Sequence, residues 1–155
     1  MAYVEKIAPD TGDSCIFVNL PAENEDAKNH IVFRGKHAFV ILNAYPYASG
    51  HLLIAPYLHT ADIAELPDAT LLEINQILAK AIGWLKVAFN PEGFNVGINL
   101  SKIAGAGIAD HIHWHVVPRW AGDTNFMTSI SGVRIIPQSL DETYKKIREA
   151  IGTSS

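Results

Sequence analysis

Between residues 111 and 117 the chain reads His-Ile-His-Trp-His-Val-Val, polar and apolar residues in alternation over the first six positions. A β-strand throws successive side chains to opposite faces, so a period of two marks a strand with one buried face. The pattern predicts a strand over residues 111–118, closed by Pro118, with Ile112, Trp114 and Val116 facing a core. His111, His113 and His115 then stand in a row on the other face. Residues 94–100 repeat the rule, with Phe94, Val96, Ile98 and Leu100 opposed to Asn95, Gly97 and Asn99. Strands of this kind require a sheet that is covered on its apolar side.

The cover is legible as well. From Asp68 to Phe89, Leu71, Ile74, Leu78, Ala81, Leu85 and Phe89 recur at three- and four-residue steps, which predicts a long amphipathic helix stopped by Asn90-Pro91. Thr70 with Glu73 resembles a capping box at its start. Ser139 with Glu142 has the same form ahead of a second stripe, Leu140, Tyr144, Ile147 and Ile151, ending before Gly152. Ile31–Arg34 and Ala38–Leu42, split by Gly35, predict a hairpin, and residues 51–56 a third strand after a turn punctuated by Pro46 and Gly50. The first thirty residues are polar and turn-rich, and residues 23–29 read as an exposed loop. The expected fold class is α+β: an antiparallel sheet of about five strands with a long central helix and a C-terminal helix. One domain is expected over residues 1–155, with loose termini at about 1–14 and 152–155.

Composition narrows the function. The 155 residues are 48% hydrophobic and 18% charged, with a net charge of −4 and the charges scattered. That disfavours a broad basic face for nucleic acid. No apolar run approaches the roughly 18 residues of a membrane span. The lone cysteine, Cys15, excludes an internal disulfide and a thiolate-rich zinc site, and suits a reducing cytoplasm.

The histidine row admits three readings. A single strand histidine is ordinarily a hydrogen-bonded structural residue, but three in register occupy a face that Thr or Val would fill more cheaply. As metal ligands, His111 and His115 would sit about 13 Å apart along a straight strand, too far to share one ion. His111 and His113 could share one with His51 or Asp110. As a nucleophile, a neutral imidazole, roughly three-quarters unprotonated at pH 7, attacks phosphorus when its other ring nitrogen is held. Gly105 and Gly107, just upstream, would let backbone N–H groups approach a phosphate.

The 111–117 segment resembles the His-φ-His-φ-His-φ-φ signature (φ apolar) of the histidine-triad superfamily of nucleotide hydrolases and transferases. Residues 42–56, with Asn43, Pro46 and Gly50-His51, look like its turn and strand pair. Residues 93–100 and 118–126 are similar to the branch of bacterial diadenosine tetraphosphate phosphorylases and hydrolases. The resemblance spans about residues 15–150 and implies a fold, an activity and a set of roles. His113 would attack an α-phosphate and form a nucleotidyl-imidazole intermediate. His111 would orient that ring with His51 in support, and His115 would contact phosphate or leaving group. Asn43 would bind ribose hydroxyls, and Asn99 would reach the phosphates. Ile16 and Phe17 are expected to flank the base. The substrate class implied is a dinucleoside polyphosphate, with water or inorganic phosphate as acceptor and no tightly bound cofactor or protein-held metal beyond magnesium accompanying the substrate. A homodimer joined sheet edge to sheet edge is implied, with no nucleic acid or membrane partner. Family members carry Gln or Ser just before the triad where this chain has Ala106-Gly107-Ile108, which leaves the acceptor open. The rival expectations are a nucleotide-binding module without turnover and a metal-dependent hydrolase. Cys15 is assigned a structural role, and His30, His37 and His59 read as ordinary surface or loop residues.

Overall fold

The computed structural model describes residues 14–123 and 139–154. Residues 1–13 and 124–126, on which some of the expectations above fall, lie outside that range. Five strands form one antiparallel sheet: β1 (Ile31–Arg34), β2 (Ala38–Leu42), β3 (Leu52–Pro56), β4 (Gly93–Ile98) and β5 (Trp114–Arg119), in the order β1-β2-β3-β5-β4. Among the described residues four α-helices accompany it: α1 (Ile16–Ala22), α2 (Asp26–Asn29), α3 (Asp68–Phe89) and α4 (Leu140–Ser154). The expected α+β architecture is the one observed. None of the described helices is long and apolar enough to cross a membrane.

The alternation of the strands sorts the core into two layers. Val40, Leu52, Ile54 and Val116 face α3 and α4 and pack with Ile74, Ile77, Ala81, Leu85 and Ile147. The opposite face carries Ile31, Phe39, Ile41, Leu53 and Ala55, closed over by Phe17 of α1. Every residue of β2 and β3 is buried, as expected for inner strands covered on both sides. Register places Leu53 and Gly97 on either side of His115, so the imidazole belongs to the smaller layer while Trp114 packs into the larger one.

Several local expectations are corrected. The strand starts at Trp114, not at His111, because the Ile112 amide N–H donates to the Thr60 carbonyl at 2.7 Å, outside the sheet. The polar N-terminal stretch contains α1 and the single turn α2; α1 has no side-chain cap and is held by burial of Phe17. Thr70 and Glu73 do not form a capping box. The α3 helix begins at Asp68 after Pro67, and the Glu73 carboxylate accepts from the Lys36 N–H at 2.7 Å and from the His37 N–H, bracing the β1–β2 turn. Ser139 does act as foreseen, its Oγ accepting from the Glu142 N–H at 3.2 Å. The helix it starts runs on through Gly152 to Ser154, so residues 152–154 are helical, not loose.

Candidate active site

The turn between β2 and β3 delivers His51. Gly50 adopts φ +88°, and a Cβ there would lie 3.0 Å from the Phe89 ring, so glycine is required on both counts. His51 is 1% exposed. Its Nδ1 accepts the Tyr47 amide N–H at 3.1 Å, which leaves the proton of the neutral ring on Nε2. That Nε2–H faces Nδ1 of His115 at 2.9 Å and donates to it. His115 in turn carries its proton on Nε2. A backbone amide at Tyr47 thus sets the tautomers of two rings in succession.

His113 is set the other way. A carbonyl oxygen can only accept, and the His111 carbonyl lies 2.9 Å from His113 Nδ1, so the proton sits on Nδ1 and Nε2 keeps its lone pair. The His113 and His115 rings are 5.1 Å apart, centroid to centroid. Lone pair and N–H donor are therefore neighbours. Burial pushes both rings below the usual imidazole range; for His113 its hydrogen bond to His111 opposes this, and for His115 the nearby His113 adds to it. His51 is pushed down to about 3 by burial, then by His115 and His113. All three stay neutral at pH 7.

Other expected site residues are placed less simply. The His111 ring is fully buried, and its Nε2–H donates to the Pro56 carbonyl at 2.8 Å; it serves His113 through its backbone carbonyl. His51 partners His115 instead of the His111–His113 pair. Phe17 is 0% exposed, packed 5.1 Å from the His111 ring and 4.8 Å from the His113 ring, so it supports imidazoles and offers no surface to a base. Ile16 beside it is exposed. The Asn43 Oδ1 accepts the Tyr45 N–H at 2.9 Å, and its Nδ2 lies 3.3 Å from His51 Nδ1. The Gly105 amide is used within its own turn, donating to the Lys102 carbonyl at 3.0 Å, whereas that of Gly107 has no partner among the described residues. Asn99 lines a cavity together with His115.

A second constellation was not foreseen. Nδ1 of His59 lies 2.9 Å from Nδ1 of His111, and Sγ of Cys15 lies 3.4 Å from that same nitrogen. These three donor atoms fall within 4.8 Å of one another. Because His111 Nε2–H is committed to Pro56, its Nδ1 offers a lone pair to the cluster, the orientation that a ligating histidine commonly shows. His59 and Cys15, expected as a loop residue and a structural residue, meet His111 in this cluster. The separation of 52 and 96 residues along the chain left no local signal of their meeting.

A family model, the HIT domain, matches residues 24–122. The chain belongs to the HIT family. Over 127 residues it is 43% identical to the AP-4-A phosphorylase of Mycobacterium tuberculosis, covering 82% of this chain and 65% of that protein's length. It is 31% identical over 113 residues to the adenosine 5′-monophosphoramidase of Saccharomyces cerevisiae, covering 72% of this chain and 67% of that one. The crystal structure of a zinc-bound histidine triad family protein from Mycobacterium smegmatis superposes with a TM-score of 0.73 at 27% identity, covering 91% of this HIT protein and 95% of the other. The Cys15–His59–His111 cluster is a candidate metal holder on its own geometry. One sulfur and two imidazole nitrogens at this spacing suit zinc, with a fourth position left to another ligand. An ion there would contribute structural cross-linking of α1, the loop after β3 and the segment before β5.

Proposed function

We propose that this HIT protein is an enzyme that cleaves dinucleoside polyphosphates at an α-phosphate through a nucleotidyl-His113 intermediate, with inorganic phosphate as the acceptor. The observation that carries the reading is the pairing of opposite tautomers: an Nε2 lone pair on His113 beside an Nε2–H on His115. In the first step the His113 Nε2 lone pair forms a bond to phosphorus as the bond from phosphorus to the bridging oxygen breaks. The electron pair leaves with the nucleoside polyphosphate. A terminal phosphate is a weak base, so a hydrogen bond from His115 Nε2–H to the departing oxygen is sufficient, and the neutral imidazole need not surrender its proton. In the second step an oxygen of inorganic phosphate attacks the same phosphorus, the P–N bond breaks, and a nucleoside diphosphate is released.

The remaining residues support the same reaction. The Gly107 N–H and the Asn99 amide are donors for phosphate oxygens, and the second lone pair of the Asn43 Oδ1, which already accepts the Tyr45 N–H, suits a ribose hydroxyl. Similarity to the AP-4-A phosphorylase of Mycobacterium tuberculosis favours phosphate over water as acceptor. Magnesium accompanies the substrate's phosphates. We further propose a homodimer in a cytoplasmic setting. The outer edge of β4 has no strand partner among the described residues, and Val96 and Leu100 are exposed beside it.

Product analysis tests the function. Diadenosine tetraphosphate mixed with the protein and inorganic phosphate should yield ADP and ATP over many turnovers; with phosphate omitted, no ADP should form and ATP release should stop at one equivalent per active site. Acid-sensitive, alkali-stable labelling of His113 by the α-phosphate should appear in quenched mixtures. Nucleotide binding without products would mark a binding module, and loss of turnover on chelation with recovery on zinc would mark a metal-dependent hydrolase.

A further inference from the structure

On the β4 side of His115 lies a cavity of about 680 Å³, within the roughly 300–1,000 Å³ of small-molecule sites. Its walls include Tyr45, Tyr47, Gly97, Asn99, His115 and Arg119. Three observations say what chemistry it accepts. First, two aromatic rings stand in solvent at its rim, Tyr45 87% exposed and Tyr47 61% exposed, the latter parallel to the His115 ring within 6°. Rings so exposed offer flat apolar faces to a planar ligand. Second, Gly97, directly across the ladder from His115, leaves open space where a side chain would project. Third, Arg119, the one cation among the described wall residues, is already matched. The Arg119 guanidinium makes a two-point contact with Asp123, at 2.8 and 2.9 Å, and also donates to the Asn95 amide oxygen. Among the described residues, a run of phosphates would find no uncompensated positive charge at that end, while an uncharged ring with hydroxyls would find neutral polar groups and π-faces.

We propose that this cavity receives the leaving-side nucleoside of a dinucleoside polyphosphate, with Tyr45 as the platform on which its base stacks. The assignment rests on the reading of the preceding subsection and adds a second recognition site to it. The hydrogen bond from His115 to the departing oxygen then lies at the mouth of the cavity into which the departing half extends. Specificity for a substrate with two nucleosides comes from this side of the site.

The test compares two substrates that share the bond to be cleaved and differ only in the second nucleoside: diadenosine tetraphosphate and adenosine 5′-tetraphosphate. With the full chain and saturating inorganic phosphate, the ratio of kcat/KM for the first over the second is measured in the wild type, Tyr45→Ala and Tyr45→Phe. Base–aromatic stacking is lost with the ring, so Tyr45→Ala should lower the ratio about tenfold and Tyr45→Phe should keep it. A ratio unchanged in Tyr45→Ala, or a wild type that cleaves both substrates equally well, overturns the second subsite and leaves the proposed reaction standing. A wild type that cleaves neither overturns both.

Discussion

Acid should destabilise this protein through His51. The ring is 1% exposed, its Nδ1 is occupied by the Tyr47 N–H and its Nε2–H by His115, so an added proton would have neither acceptor nor water. Its pKa lies at about 3, against about 6.5 for an unfolded histidine. Between those values the unfolded chain binds more protons than the folded one. Stability is therefore whole above pH 6.5 and is lost as pH falls towards 3. From pH 7 to pH 5 the unfolded imidazole becomes almost fully charged while His51 stays neutral, a difference of about 2 kcal/mol. That is a large share of a total stability of roughly 5–15 kcal/mol. His113 and His115 shift in the same direction and steepen the slope, so the contribution of His51 has to be isolated by difference. Urea unfolding at pH 7, 6 and 5 on the wild type and on His51→Asn gives two slopes. The wild type should lose about 2 kcal/mol more than the variant across the window. Equal losses would refute the neutral, water-excluded ring.

Other perturbations follow from the same geometry. His113→Ala should retain nucleotide affinity and lose about a thousandfold or more in rate, as removal of a covalent nucleophile does, measured by single-turnover assay and equilibrium binding. The acid limb of kcat/KM should fall below pH 6.5, because burial lowers His113 and keeps its attacking lone pair available in mild acid; a limb at or above 6.5 would contradict this. Titration with cobalt in place of zinc should give a thiolate-to-metal charge-transfer band that Cys15→Ala abolishes and His59→Ala weakens, and absence of a band would remove the cluster as a metal holder. Glu73→Ala leaves the Lys36 and His37 amides without their carboxylate and should cost about 1–3 kcal/mol in urea unfolding.

Where pattern and burial coincide, the sequence already carried the fold. β1, β2 and α3 begin and end where hydrophobic periodicity and their Gly, Asn and Pro boundaries put them. The failures have a common cause, which is competition from distant partners. Ile112 alternates like a strand residue, yet its amide is taken by Thr60 and the sheet starts two residues later. Glu73 has capping spacing, yet two amides of the β1–β2 turn claim its carboxylate. The seven-residue α1 has Pro21 inside it and no cap, so local propensity argues against a helix that Phe17 secures by burial. In the site, residue types and the shared face of His113 and His115 were legible; the tautomers were not, because a Tyr47 amide and a His111 carbonyl decide them. The meeting of Cys15, His59 and His111 is likewise a product of tertiary folding alone.

The sheet order β1-β2-β3-β5-β4 has a consequence for how the molecule comes into being. The strand made last of the five is inserted in the middle, and β4 has no ladder at all until β5 arrives. A nascent chain stalled before residue 114 would present two open strand borders at once, each a template for sticking to its neighbours on the ribosome. Closure of that gap by the segment bearing His115 pairs both of these borders and aligns the reactive rings in the same event.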